Sequence, residues 1–158
     1  MGEIVMKLVR TIIPKDVNDV LGMAYKAVYE RGYVGVDFDK QHFNFQIKNV
    51  MINAKCKCLG LFEDQTLIGF VVMDLISLPW IVQKKCFIYL LHLDIQHRTE
   101  NNYQMLLNAV TEFCDEKNVN HVITCGNCYL LDPVSKENFL LKNNFLQHDI
   151  VWERNNDY

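Results

Sequence analysis

The chain has 158 residues and a mass of 18.5 kDa, the size of one ordinary domain. Its residues are 50% apolar and 22% charged, which fits a folded core and excludes a disordered chain. A net charge of −3 and a pI near 5.9 argue against a general polyanion binder, so nucleic acid is not an expected partner. In chain order, residues 4–13 are rich in Ile and Val and predict a first strand, stopped by Pro14. Asp16 then reads as a helix N-cap, and Val17, Val20, Leu21, Ala24 and Val28 recur at helical spacing. That helix ends near Arg31-Gly32, and residues 32–38 read as a loop. Asp39 caps a second helix with the stripe Phe43, Ile47, Val50 and Met51. Residues 56–62 and 67–76 predict a hairpin joined across Glu63-Asp64-Gln65-Thr66. Residues 77–85, with Pro79 and Trp80, form a connector. Residues 87–95 are nearly all apolar and predict a central strand covered on both faces. A polar loop, 96–102, precedes a third helical stripe of Tyr103, Leu106, Leu107, Val110, Phe113 and Cys114. A short strand at 121–125 follows. Asp132-Pro133 then opens a fourth helix that reaches about Lys142 and closes on Asn143-Asn144 in a left-handed turn. A last strand spans 148–154. The order is β-α-α-β-β-β-α-β-α-β, which predicts an α/β fold with a mixed central sheet flanked by helices. With no linker-like cluster, residues 1–158 are expected to form a single domain.

No run of about 18 apolar residues occurs, so no membrane-spanning helix is expected. Residues 1–10 carry Glu3, Lys7 and Arg10 and do not read as a secretory signal. The expectation is a soluble cytoplasmic protein whose six cysteines are reduced thiols. Cys125-Gly-Asn-Cys128 is a C-x-x-C pair. A thiol redox site wants that pair at a helix start, whereas here it follows a strand and precedes a loop.

Three local sequences carry a family likeness. They are the hairpin 58–72 with the small residue Gly69 ahead of an apolar run, the segment 91–98 followed by Leu106-Leu107, and Glu137-Asn-Phe-Leu-Leu-Lys-Asn-Asn-Phe145. Together they resemble the GNAT superfamily of N-acetyltransferases over nearly the whole chain. Phe38-Asp39 and Trp80 are similar to features of small GNAT proteins carried by tailed bacteriophages. The resemblance implies a GNAT-like acyl-CoA N-acyltransferase fold. It implies acetyl-CoA as the acetyl donor and a small-molecule or protein amine as the acceptor. A viral member would work in the host cytoplasm or the virion, and a homodimer or larger assembly is compatible with the family. In such a sheet the second and fifth strands are not neighbours, so Cys56 and Cys58 cannot complete a zinc site with Cys125 and Cys128, and no metal is expected.

The resemblance also implies site residues. The family's loop after the fourth strand reads Gln/Arg-x-x-Gly-x-Gly/Ala, because a pyrophosphate rests on bare backbone N–H groups at a helix start. Here the loop is Arg98-Thr99-Glu100-Asn101-Asn102-Tyr103, with Arg98 fitting and Asn101 and Tyr103 in the glycine positions. Leu93 and Ile95 of the preceding strand complete the expected coenzyme contacts. Leu140 stands where the family places a tyrosine acid, which leaves Tyr129 as its substitute. The strand has no Glu, but His92 and Asp94 share one face by alternation, and either could accept a proton. Tyr29, Tyr33 and Trp80 are candidates for an aromatic wall around a cationic amine. A second reading is a binding or structural module of the same fold, favoured by the missing glycines and by Leu140. The two differ in geometry: an enzyme should show the fourth and fifth strands splayed around an open channel, and a module should have that channel filled, for instance by Tyr103. A thiol redox role rests only on Cys125 and Cys128.

Overall fold

The computed structural model describes residues 2–30, 37–77, 79–80, 82–125 and 129–145. The strand expected at 148–154, the wall residue Tyr33 and the thiol Cys128 lie outside the described residues. The elements are β1 (Lys7–Thr11), α1 (Val17–Glu30), α2 (Lys40–Ile52), β2 (Cys56–Glu63), β3 (Thr66–Ile76), β4 (Lys85–Leu93), α3 (Glu100–Glu116), β5 (Val122–Thr124) and α4 (Pro133–Lys142). Short 3-10 turns at Pro14–Asp16 and Ile95–His97 precede α1 and α3. The five strands lie in the order β1-β2-β3-β4-β5. The first three pairings are antiparallel and β4 with β5 is parallel. A parallel pair needs a crossover, and α3 supplies it.

Strand alternation divides the core between the two faces of the sheet. Leu61, Val71, Met73, Ile88 and Leu91 pack with α3 and Phe139 of α4. Phe62, Phe70 and Val72 pack on the other face with Val20 and Ala24 of α1 and Ile47 of α2. The stripe expected for the third helix is buried throughout, from Tyr103 to Cys114. In α2 only Ile47 of the expected stripe is fully buried.

Local chemistry sets the element ends. Glu63 pairs with Thr66, so the β2–β3 connection shrinks to Asp64 and Gln65, at φ 45° and 73°. Two left-handed residues suit the twist of a tight hairpin. Asp39 caps α2 by accepting from Gln41 N and His42 N, both at 2.9 Å. Asn144 adopts φ 64° and closes α4, as the Asn-Asn pair predicted.

Two expectations need correction. Asp16 does not cap α1. Pro14 starts a helical turn one turn earlier, and the Asp16 carboxylate reaches back to Ile13 N at 3.0 Å and to Arg10 at 2.7 and 3.0 Å. The strand expected at 87–95 runs from Lys85 to Leu93 instead. Leu91, His92 and Leu93 are covered on both faces, but Tyr89 is 53% exposed.

Candidate functional site

The fourth strand is irregular on its β3 edge. Toward β3, Val72 opposes Leu90 and Met73 opposes Ile88, which leaves Tyr89 as an extra residue in a bulge. Toward β5, pairing covers Cys86↔Val122, Phe87↔Ile123 and Ile88↔Thr124. All three residues of β5 thus pair with β4. A bulge bends and twists its strand, so the direction of β4 changes where Tyr89 is inserted.

The segment after β4 brings the expected coenzyme residues together at the start of α3. Asp94 N donates to Ile68 O at 2.9 Å, and Asp94 lies just past the strand, at the head of the turn Ile95–His97. Thr99 is the N-cap of α3, its hydroxyl accepting from Asn102 N at 3.2 Å. That cap leaves the Glu100 and Asn101 N–H groups, in the first turn, with no acceptor inside the helix. Such groups, with the positive end of a 17-residue helix, suit an anion. Among the described residues, none from 94 to 103 has a positive φ. Glycine's conformational freedom is therefore not needed in this loop, and Asn101 and Tyr103 fit it unstrained.

Arg98 donates from Nε to Leu93 O at 3.0 Å and pairs with the Glu30 carboxylate at the end of α1. Burial pulls its pKa down from the ordinary arginine value, yet a guanidinium stays charged. Tyr103 is fully buried. Its hydroxyl accepts from Leu130 N at 3.0 Å, and its ring lies 5.5 Å from Tyr129 and 6.2 Å from Phe139. Tyr129 is buried in the same cluster, and its hydroxyl lies 3.4 Å from the Thr124 hydroxyl. Tyr103 and Tyr129 share a core with Leu91 and Leu93 of β4.

His92 and Asp94 differ in environment. His92 is completely buried, with its ring 6.4 Å from Phe70. The Asp94 side chain is 31% exposed and lies 4.0 Å from Lys26 Nζ and 3.9 Å from His97 Nδ1. On the α1–α2 side of the sheet a cleft of about 250 Å³ is lined by Val28, Asp37, Phe38, His42 and Phe43, with Leu90 of β4 beside the bulge. Tyr29 is exposed at the end of α1, its ring 4.8 Å from Tyr25, which contacts Phe38. A hydrogen bond with Tyr25 raises the Tyr29 pKa, so the phenol stays protonated. Trp80 is 77% exposed in the β3–β4 connector. Sequence reasoning missed Leu90, His42 and Phe43 as cleft residues. The helical stripe did single out Phe43, but as core, and a bulge leaves no mark in composition.

Cys125 is exposed, while Cys56 and Cys58 lie on β2, separated from β5 by β3 and β4. Burial, helped by the Asp74 carboxylate, pushes the Cys56 thiol up to about 11, and burial pushes Cys58 up to about 12. Among the described residues, no group of three His, Cys, Asp or Glu could hold a metal ion, and no helix is long and apolar enough to cross a membrane.

The sequence matches no protein-family model and no curated protein. The structure does have counterparts. One is a predicted acetyltransferase from Clostridium acetobutylicum solved with acetyl-CoA, with a TM-score of 0.76 at 15% identity over 95% of this chain and 96% of that one. Another is the aminoglycoside N-acetyltransferase AAC(6')-Iy in complex with CoA, with a TM-score of 0.76 at 10% identity over 99% of both chains. The fold is that of the GNAT acetyltransferases. Glucosamine-6-phosphate N-acetyltransferase from Arabidopsis thaliana shares it, with a TM-score of 0.71 at 11% identity over 96% of this chain and 99% of that one. A GNAT fold was expected from the three motifs, and the mixed five-stranded sheet bears that out.

Proposed function

We propose that the chain is an N-acetyltransferase that moves an acetyl group from acetyl-CoA to a primary amine. The observation that carries this is the start of α3, which follows the bulged strand β4 and the turn Ile95–His97 and whose first-turn N–H groups have no acceptor inside the helix. In this reading the Glu100 and Asn101 amides, within the loop Arg98 to Tyr103, hold the pyrophosphate. Backbone groups of β4 near Leu93, and of Ile95, line the thioester, where an N–H can stabilise the charge that develops on its oxygen.

The acceptor enters from the cleft beside Leu90. Asp37 and the rings of Phe38 and Phe43 favour a cation there; Tyr29, Tyr33 and Trp80 stay proposed wall residues on the sequence alone. An ammonium must lose a proton before it attacks. Asp94 is the better placed acceptor of that proton, since it reaches water and His92 does not. The amine nitrogen then bonds to the carbonyl carbon, the carbon–sulfur bond breaks, the departing thiolate takes a proton, and the second proton that nitrogen releases on becoming an amide restores the donor. Tyr129 is the proposed donor.

A second reading, a binding module without catalysis, is favoured by two observations. Tyr103 is sealed among Tyr129 and Phe139 while Arg98 is already paired with Glu30. Thiol release from acetyl-CoA, measured over a panel of primary amines, separates the two. The enzyme reading expects turnover with at least one amine, and a fall of about 100-fold in kcat for Asp94→Asn. Turnover that Asp94→Asn leaves intact would remove Asp94 from the mechanism. No turnover with any amine would favour the module.

A further inference from the structure

The loop between β4 and α3 is tied down by a circuit of side chains. Lys7 Nζ, from edge strand β1, donates to Asn102 Oδ1 at 3.0 Å. Asn102 Nδ2 donates to the His97 carbonyl at 2.7 Å. The His97 ring meets the Glu63 carboxylate through Nε2 at 3.2 Å. Glu63 comes back to Lys7 Nζ at 3.7 Å, which closes the circuit. Asn102 is 1% exposed, so its amide has been taken out of water and depends on these partners. Four residues from β1, β2, the turn and α3 thus fix one short loop.

We infer that Lys7, Glu63, His97 and Asn102 are positioning residues that hold the β4–α3 loop in the shape that presents the Glu100 and Asn101 amides to a pyrophosphate. The inference rests on the coenzyme reading above. In a glycine-bearing loop the backbone can settle close to an anion because no Cβ intervenes. This loop has no glycine and no left-handed residue, so its backbone angles are ordinary ones, and outside contacts select its path among those they allow. The circuit does so from the edge of the sheet, where β1 and the β2–β3 hairpin end beside the loop. Closure matters, because each member's second contact restrains the contact before it.

Glu63→Ala is the decisive variant, since two explanations give it opposite signs. If these groups merely set the local charge, removing a carboxylate beside an anionic coenzyme strengthens acetyl-CoA binding. If they position the loop, the same change weakens it. The expected result is acetyl-CoA binding weakened about tenfold, the size of one lost charge-assisted hydrogen bond. Binding of S-acetylpantetheine, which lacks the pyrophosphate, should not change. Asn102→Ala should follow the same pattern more strongly, and Lys7→Arg should retain most of the affinity that Lys7→Met loses.

Hydrogen exchange on the coenzyme-free protein supplies a second readout. The amides of Thr99, Asn102 and Tyr103 should exchange faster in Glu63→Ala while those of β2 and β3 stay protected. Tighter acetyl-CoA binding, equal losses for the two ligands, or unchanged exchange at the loop would each overturn the inference. Wild-type protein that binds no acetyl-CoA would instead overturn the coenzyme reading. The exchange experiment would still decide whether the circuit holds the loop.

Discussion

At the scale of single residues, Asp16 shows how a local motif can be read correctly as polar and misread in role. The sequence placed it before a helical stripe, where an N-cap belongs. In the structure its carboxylate is buried, bidentate to Arg10, whose guanidinium also lies 3.8 Å from the centre of the Phe62 ring. What decided the matter was Pro14, which begins a turn early, and Arg10, six residues upstream on a strand that only the fold brings close. Arg10 and the Ile13 amide hold the Asp16 pKa below the ordinary carboxylate value. A depressed folded pKa adds stability above the unfolded value of about 3.9, and that stability is lost as pH falls through the folded value. Asp16→Asn should therefore lower stability by about 1–2 kcal/mol near pH 7. Denaturant midpoints of the two proteins should stay apart from about pH 5 upward and converge below about pH 4. A gap that persists at the lowest pH would show that packing, and not the ion pair, is what the variant loses. Lys7 and Glu63 were as hard to read, since both are ordinary surface types until the sheet places them beside His97 and Asn102.

At the scale of elements, the strands were legible and their irregularities were not. Period-two alternation and apolar runs located β2, β3 and β4 to within about two residues. The Tyr89 bulge could not be read, because it is a property of register and one strand's sequence does not contain its partner's. Its consequences were misread too. A strand judged to be covered on both faces carries an exposed Tyr89, and Asp94, expected on the strand, begins the turn that follows. Gly69 is the exception: its small size was noted in the sequence, and the structure supplies the cause. A Cβ built there would come 2.9 Å from the His92 carbonyl oxygen and would strike the Leu93 side chain. Backbone cannot yield as a flexible side chain does, so β3 and β4 would have to part beside the candidate site. Gly69→Ala should cost about 1–3 kcal/mol and lower Tm by several degrees. Thermal unfolding followed by circular dichroism tests this. An unchanged Tm would mean that β3 and β4 are further apart at this point than described.

At the scale of the whole molecule, element order survived where sequence identity did not. At 10–15% identity the chain still superimposes over nearly its full length on acetyltransferases. A fold asks for apolar residues of about the right size at the right period, and many sequences satisfy that. The loop between β4 and α3 accordingly has no glycine and keeps ordinary backbone angles, with side chains from the sheet edge bonded to it. Fold does not carry chemistry with it. The amide pair at the start of α3 favours a working coenzyme site, while the buried Tyr103 and the engaged Arg98 favour a closed one. Calorimetric titration of the purified protein with acetyl-CoA decides between them most directly. An acetyltransferase should bind with a dissociation constant of about 1–100 μM, within the usual range for enzyme substrates. Absence of binding heat up to about 1 mM acetyl-CoA, where even a weak site of about −4 kcal/mol would be half filled, would contradict the catalytic account.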